Sequence, residues 1–151
     1  MTETKYDSSR TIEKHRYDVR ALLSKVYSEL YWRGNEHDYS KLKSPEKEIF
    51  DEYTPKLKEL KFGSDEYKKA LRDMGEGLKH HYKENKHHPE HFENGINDMT
   101  LIDIIEMVCD WVAASKENNN GEIDYEYLQS RFGISNQLIN VIHNTVLLIS
   151  T

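Results

Sequence analysis

Leu101-Ile102-Asp103-Ile104-Ile105-Glu106-Met107-Val108-Cys109-Asp110-Trp111 is the stretch on which the fold turns. It reads as part of a strongly apolar helix of about Leu101 to Ser115, capped by Asp98 or Thr100. Asp103, Glu106 and Asp110 fall at i, i+3 and i+7, so their carboxylates share one face, beside Ile102, Met107 and Val108. Three carboxylates on a largely buried face are costly without a cation or protons. The stretch therefore predicts a buried helix with a cation beside it.

Helical patterns extend outward in both directions. Ile12, His15, Val19, Leu22, Leu23, Val26 and Leu30 recur at helical spacing, predicting a helix from Thr11 to Trp32, capped by Ser9 or Thr11 and ended by Gly34. Ser44-Pro45-Glu46 opens a short helix ending near Tyr53 or Pro55, with Ser44 as its cap and irregular chain over 54–63. Ser64-Asp65-Glu66 starts a longer one, to Lys86, with Tyr67, Leu71, Met74, Leu78, His81 and Tyr82 as its apolar stripe; Gly75 and Gly77 are where it is weakest. Residues 88–95 and 116–121 read as loops, and two helices, Asp124–Phe132 and Ser135–Ile149, meet at Gly133. No strand alternation, repeat or second-domain linker is present. With only 7 Gly and 3 Pro in 151 residues, the expected fold is an all-α, single-domain bundle of about six helices. Residues 1–10 would be a flexible N-terminus, 11–115 the helical core and 116–151 a C-terminal hairpin packed on it.

The composition narrows the function. Cys109 is the single cysteine, which excludes an intramolecular disulfide and a cysteine-built zinc site and suits a reducing cytosol. There is no run long and apolar enough to cross a membrane, and Met1-Thr2-Glu3-Thr4-Lys5 lacks the apolar stretch of a signal peptide. A cytoplasmic protein without membrane partners is expected. The formal net charge is −6, and residues 92–151 carry 2 basic against 9 acidic groups. This is not the balance of a general polyanion binder. Of the 8 histidines, five lie close together: His80, His81, His87, His88 and His91.

In chain order the metal-ligating residue types are His15, then His37-Asp38, then His80 or His81, then His87 or His88, then Asp103 or Asp110. His81 follows Met74 by seven and Leu78 by three, so it continues the buried stripe, whereas His80 lies with Asp73 and Glu76 on the polar side. His88 lies seven beyond His81, but Pro89 draws it away from helical geometry, so His87 and His88 both stay open and His91 is a weaker candidate. Taken singly, each is an ordinary core or loop residue. Together, imidazole nitrogen and carboxylate oxygen make the ligand mix that suits Mn, Fe, Co, Ni or Zn.

On these residues the chain resembles the HD-domain metal-dependent phosphohydrolases. His15 followed by Val19, the pair His37-Asp38 within His37-Asp38-Tyr39-Ser40-Lys41, and Asp110 on the apolar helix are similar to that superfamily's ordered motif. His87-His88-Pro89-Glu90 is similar to the extra histidines of its two-metal subset. Residues 96–115 also resemble a small, functionally uncharacterised branch of this kind. The resemblance spans residues 11–115 and departs from the superfamily at Tyr39-Ser40, where a small apolar residue and Gly are usual. It implies one or two divalent ions. His15, His37, Asp38 and Asp110 would hold the first, and His81 and His88 a second or the leaving phosphate. Lys41, with Arg16 or Lys83, would neutralise phosphate charge, and Glu106 would support a ligand or act as general base. The implied substrate is a small phosphorylated molecule, with nucleotides in view.

Two rival readings come from the same residues. One is a non-catalytic metal-binding or protein-interaction module of the same fold. The other is DNA binding, because Leu128 to Ile139 resembles a helix-turn-helix with Gly133 at the turn. Residues 135–151 contain no Lys or Arg, so nucleic acid is disfavoured. Leu138, Ile139, Val141, Ile142 and Val146 to Ile149 are more apolar than one surface helix needs, so this segment covers the core or pairs with a second copy as a homodimer.

Overall fold

Thr100 and Asp103 start the long apolar helix by exchanging hydrogen bonds. The Thr100 N–H and hydroxyl donate to Asp103 Oδ2 at 2.8 and 2.6 Å, and the Asp103 N–H donates to Thr100 Oγ1 at 3.2 Å. Each residue satisfies donors the other leaves open, which is why the helix begins at Thr100 and not at Asp98. The computed structural model describes residues 6–118 and 121–150, and among these the regular structure is all helical, with no strand. The helices are α1 (Ser9–Glu36), α2 (Glu46–Lys58), α3 (Asp65–Asp73), α4 (Gly75–Glu84), α5 (Leu101–Asn118), α6 (Tyr125–Phe132) and α7 (Asn136–Ile149), with 3-10 turns at Tyr39–Leu42, Pro89–His91 and Gly95–Asp98.

The chain divides into two units, Met1–Asn35 and Glu36–Thr151. The expected core began at residue 11, so this division falls inside it. Residues 1–5 of the expected flexible N-terminus and residues 119 and 120 of the expected 116–121 loop lie outside the described residues. Residues 9 and 10 are already helical, and α5 continues to Asn118.

In the first unit α1 starts earlier than the sequence suggested. The Asp7 carboxylate accepts from the Ser9 N–H and hydroxyl at 3.0 and 2.6 Å, so neither Ser9 nor Thr11 is the cap. Gly34 does not end the helix. One glycine costs a helix only about 1 kcal/mol, and Arg33 Nε to Glu29 and Asn35 Nδ2 to the Tyr31 carbonyl, at 3.0 and 2.8 Å, tie the last turns together. The chain leaves helical geometry at Asp38, the one non-glycine residue with positive φ (57°) among those described.

In the second unit α2 begins at Glu46, and Ser44 gives no side-chain cap; the Lys47 N–H bonds to the Lys43 carbonyl at 2.9 Å instead. The helix passes through Pro55 to Lys58, so part of the expected irregular segment is helical. α3 starts where expected, and Ser64 caps it, its Oγ accepting from the Tyr67 N–H at 3.1 Å. The expected long helix is broken at Gly75, whose φ of +53° favours glycine, and α4 carries on to Glu84. Gly77 serves packing: a Cβ there would stand 2.7 Å from Ile49 Cγ1, so α2 and α4 approach as closely as they do because it has none.

Val108 of α5, Ile134 and Ile142 of α7 form the apolar centre, with Ile104, Trp111, Phe132, Leu138, Ile139 and Val146 around them. Trp111 stacks on Phe132 at 5.9 Å. The C-terminal segment thus packs on α5 and covers the core. Asp124 and Ser135 cap α6 and α7 through the N–H groups of Tyr127 and Leu138, and Gly133 (φ 65°) makes the turn between them.

Candidate metal centre

Three segments of the second unit converge on one point. The left-handed turn after α1 presents His37 and Asp38, and the Lys41 N–H closes it onto the Asp38 carbonyl at 2.9 Å. Asp is among the few residues that tolerate such a backbone, and strain of this kind gathers at functional sites. The inward stripe of α4 presents His81. Asn85 then ends that helix by donating Nδ2 to the His81 carbonyl at 2.8 Å, and the next residues deliver His87 and His88. One face of α5 supplies Glu106 and Asp110.

The side chains form two overlapping groups: Asp38, His81, His87 and His88, and His37, His87 and Asp110, with the ligand atoms in each group within 4.8 Å of one another. Asp38 Oδ1 lies 3.5 Å from both His81 Nε2 and His87 Nε2, and His81 Nε2 shares a hydrogen bond with His88 Nε2 at 2.8 Å, a proton that an ion between them would replace. Donors held tetrahedrally about 2.1 Å from a metal stand about 3.4 Å apart. His37 Nε2 is 3.6 Å from Asp110 Oδ1 and 3.7 Å from Asp38 Oδ2. Asp38 Oδ1 and both ring nitrogens of His87 are buried and have no hydrogen-bond partner. Leaving such atoms without a partner is costly, and a cation between them removes the cost. The donor set fits a divalent transition metal.

Two carboxylates stand behind the imidazoles. Glu46, fully buried, accepts from His80 Nδ1 at 2.7 Å, from His81 Nδ1 at 2.9 Å and from the Ser40 hydroxyl at 2.8 Å. Glu106 Oε1 lies 2.9 Å from His37 Nδ1 and 3.1 Å from His87 Nδ1. A carboxylate that accepts a hydrogen bond from Nδ1–H leaves the Nε2 lone pair for the ion, a common arrangement behind metal-binding histidines.

The electrostatics agree with this. Burial, with the nearby Lys41 charge, pushes the His81 pKa below its ordinary value; burial and the neighbouring His87 and His81 do the same to His88. Both therefore stay neutral, the form that binds metal. Burial works to raise the Asp38 pKa, but the charge and hydrogen bond of Lys41, with His37 and His81, outweigh it and hold the carboxyl low. The same balance, struck by His80, Ser40 and His81 against burial, keeps Glu46 ionised. His37 differs: the Asp110 carboxylate 3.6 Å from its Nε2 and the Glu106 hydrogen bond at Nδ1 push its pKa up to about 10, so an ion binding there must displace a proton.

The structure brings together His37, Asp38, His81, His88 and Asp110 of the residues singled out from sequence, and adds His87 to both groups. It puts Glu106 behind His37 and His87, and Lys41 on Asp38, with Nζ 2.6 Å from Oδ2. His15 stands on α1 in the first unit, as does Arg16, which pairs with Glu13 at 2.6 Å. His80 turns to Glu46, His91 donates Nδ1 to the Tyr82 carbonyl at 3.1 Å, Lys83 is exposed on α4, and Asp103 is engaged at the start of α5. Sequence reasoning does not single out Glu46, which it places only at the opening of a helix. Its spacing to Ile49, Phe50 and Tyr53, three, four and seven residues on, was the available sign that it faces inward.

The model for the Family of unknown function (DUF5662) matches residues 4–148. The chain belongs to that family. No curated protein and no solved structure matches it. The matched span contains every residue of both groups and both supporting carboxylates.

Proposed function

We propose that this protein is a metal-dependent phosphohydrolase of the HD-domain kind, acting on a small phosphorylated substrate, with nucleotides the first class to test. The observation that supports metal binding is the pair of buried, unpartnered atoms Asp38 Oδ1 and His87 Nε2 among inward-turned imidazoles. The hydrolytic reading rests on the resemblance carried by His37-Asp38 and Asp110.

Asp38, His81, His87 and His88 would hold one ion, and His37, Asp110 and His87 could hold another. One Nε2 serves one ion, so His87 joins one group at a time. An ion bound here supplies Lewis acidity to a water and to a phosphoryl oxygen. The chain does the rest. Glu46 would hold His81, and Glu106 would hold His37, in the tautomer and orientation that bind. Lys41, 4.7 Å from the centre of the Phe50 ring, brings a cation to the rim. With the Asp38 charge drawn to an ion, its ammonium can turn to a phosphate oxygen. The resemblance also gives His15 a ligand role, which the metal content of His15→Ala tests directly.

The deciding experiment is metal analysis of the purified chain, with a phosphatase screen in Mn²⁺, Fe²⁺, Co²⁺, Ni²⁺ or Zn²⁺. Bound metal that is lost in Asp38→Ala and kept in His143→Ala, with metal-dependent turnover, is the expected result. Metal without turnover on any phosphorylated substrate leaves a metal-binding module. No metal under any loading condition overturns the reading.

A further inference from the structure

A second feature lies one aromatic ring away from the metal centre. A cleft of about 510 Å³ between α3, α4 and α6 is lined by Lys68, Arg72, Lys79 and Arg131, with Tyr82 and Tyr127. That volume is in the range of small-molecule sites. Four cations meet there in a chain of net charge −6. Arg131 is one of only two basic residues in 92–151, and its side chain is 24% exposed.

The carboxylates nearby answer only part of this charge. Arg131 donates to Glu90 Oε1 at 2.8 Å and to the Tyr82 hydroxyl at 3.4 Å, and Lys79 pairs with Glu76 at 2.6 Å. Among the described residues Lys68 and Arg72 make no ion pair; the Lys68 ammonium lies 5.7 Å from the centre of the Tyr127 ring. Tyr82 is the shared wall. It lines the cleft, and its ring packs on the His88 ring at a centroid distance of 4.9 Å. Glu90, the partner of Arg131, lies two residues after His88.

We propose that this cleft is an anion-recognition site for the phosphates of a small molecule. It would hold a phosphate other than the one at the metal centre, so the substrate class becomes a molecule with at least two phosphates. This deepens the phosphohydrolase reading and rests on it. Arg72 and Arg131 offer forked donors matched to phosphate oxygens, while Lys68 and Lys79 act as point charges. The limited volume and the acidic remainder of the chain favour a small molecule over nucleic acid. Inorganic polyphosphate and nucleoside polyphosphates share this chemistry.

The test is calorimetric titration of the full chain as purified with inorganic pyrophosphate, and in parallel with ADP, comparing wild type with the Lys68→Ala/Arg72→Ala double variant. Both residues are exposed, so the fold should survive, and metal content should not change. The expected result is pyrophosphate binding weakened roughly tenfold or more by the double substitution and weakened by salt. Tighter binding of ADP than of pyrophosphate identifies a nucleotide as the source, and equal binding identifies a free polyphosphate. No pyrophosphate binding, or binding unchanged in the double variant, overturns the proposal. Failure of the metal reading shows separately, as absent metal.

Discussion

The buried Glu46 carboxylate accepts a hydrogen bond from His81 Nδ1 at 2.9 Å, and the opposite nitrogen of that ring lies 3.5 Å from Asp38 Oδ1. The carboxylate touches no proposed substrate position, yet it decides which His81 nitrogen carries a lone pair. Glu46→Gln keeps the shape and removes the charge. Metal affinity should fall roughly 10–100-fold, the usual effect of losing such a partner. Titration with a chromophoric chelator measures it. Unchanged affinity in a folded variant would show that the Glu46 charge does not hold His81 for metal.

Asp103 and Asp110 share a helical face, and the structure gives them different work. Asp103 closes the start of α5 with Thr100, whereas Asp110 Oδ1 lies 3.6 Å from His37 Nε2. Asp103→Asn should therefore lower stability by about 1 kcal/mol, the typical value of a cap, and keep the bound metal. Asp110→Asn should lose metal from the group that contains His37 and, because Asp110 does most to raise the His37 pKa, also lower the stability of the metal-free protein near neutral pH. Chemical denaturation and metal analysis on both variants check the pair; the reverse pattern would exchange the two roles.

These two aspartates also show where reading the sequence stops. Spacing places both on the face of α5 that meets the histidines, but two turns of helix separate a residue used by the helix end from one aimed at the site, and periodicity cannot tell them apart. His81 was legible because Met74 and Leu78 fix the inward stripe of α4. The choice between His87 and His88 was not, because seven-residue spacing favours His88 only while a helix continues, and the chain leaves helical geometry at Asn85. Gly34 read as a stop because glycine often follows a helix, but neighbouring side-chain bonds carried α1 past it. The left-handed residue turned out to be Asp38, which also carries a buried carboxylate oxygen of the proposed site.

Gly77 fits because a Cβ would meet Ile49 Cγ1 and Cβ at 2.7 and 2.8 Å. Alanine favours a helix over glycine by about 1 kcal/mol, but pressing a methyl into Ile49 costs about 1–3 kcal/mol. Gly77→Ala should therefore be neutral to destabilising by up to about 2 kcal/mol, and Gly77→Ala/Ile49→Val should recover part of the loss. Urea unfolding of the single and double variants measures this. A clear gain in stability from Gly77→Ala alone would mean that α2 and α4 do not meet at this residue.

His37 gives the metal-free protein a pH dependence with a definite sign. The neighbouring carboxylates of Asp110 and Glu106 raise its pKa to about 10, above the ordinary histidine value near 6.5. A group whose pKa is raised by folding stabilises most fully below its unfolded value, and that contribution disappears as pH rises through the folded one. In chelated protein the His37 contribution should thus be complete below about pH 6.5 and gone above about pH 10. Other groups titrate in the same window, so the diagnostic quantity is the difference between wild type and His37→Gln. Denaturation midpoints at intervals across that window should converge for the two proteins as pH rises. A constant gap would show that His37 does not hold its proton between the two carboxylates. With metal bound the difference should flatten, because an ion at Nε2 replaces the proton that His37 otherwise keeps.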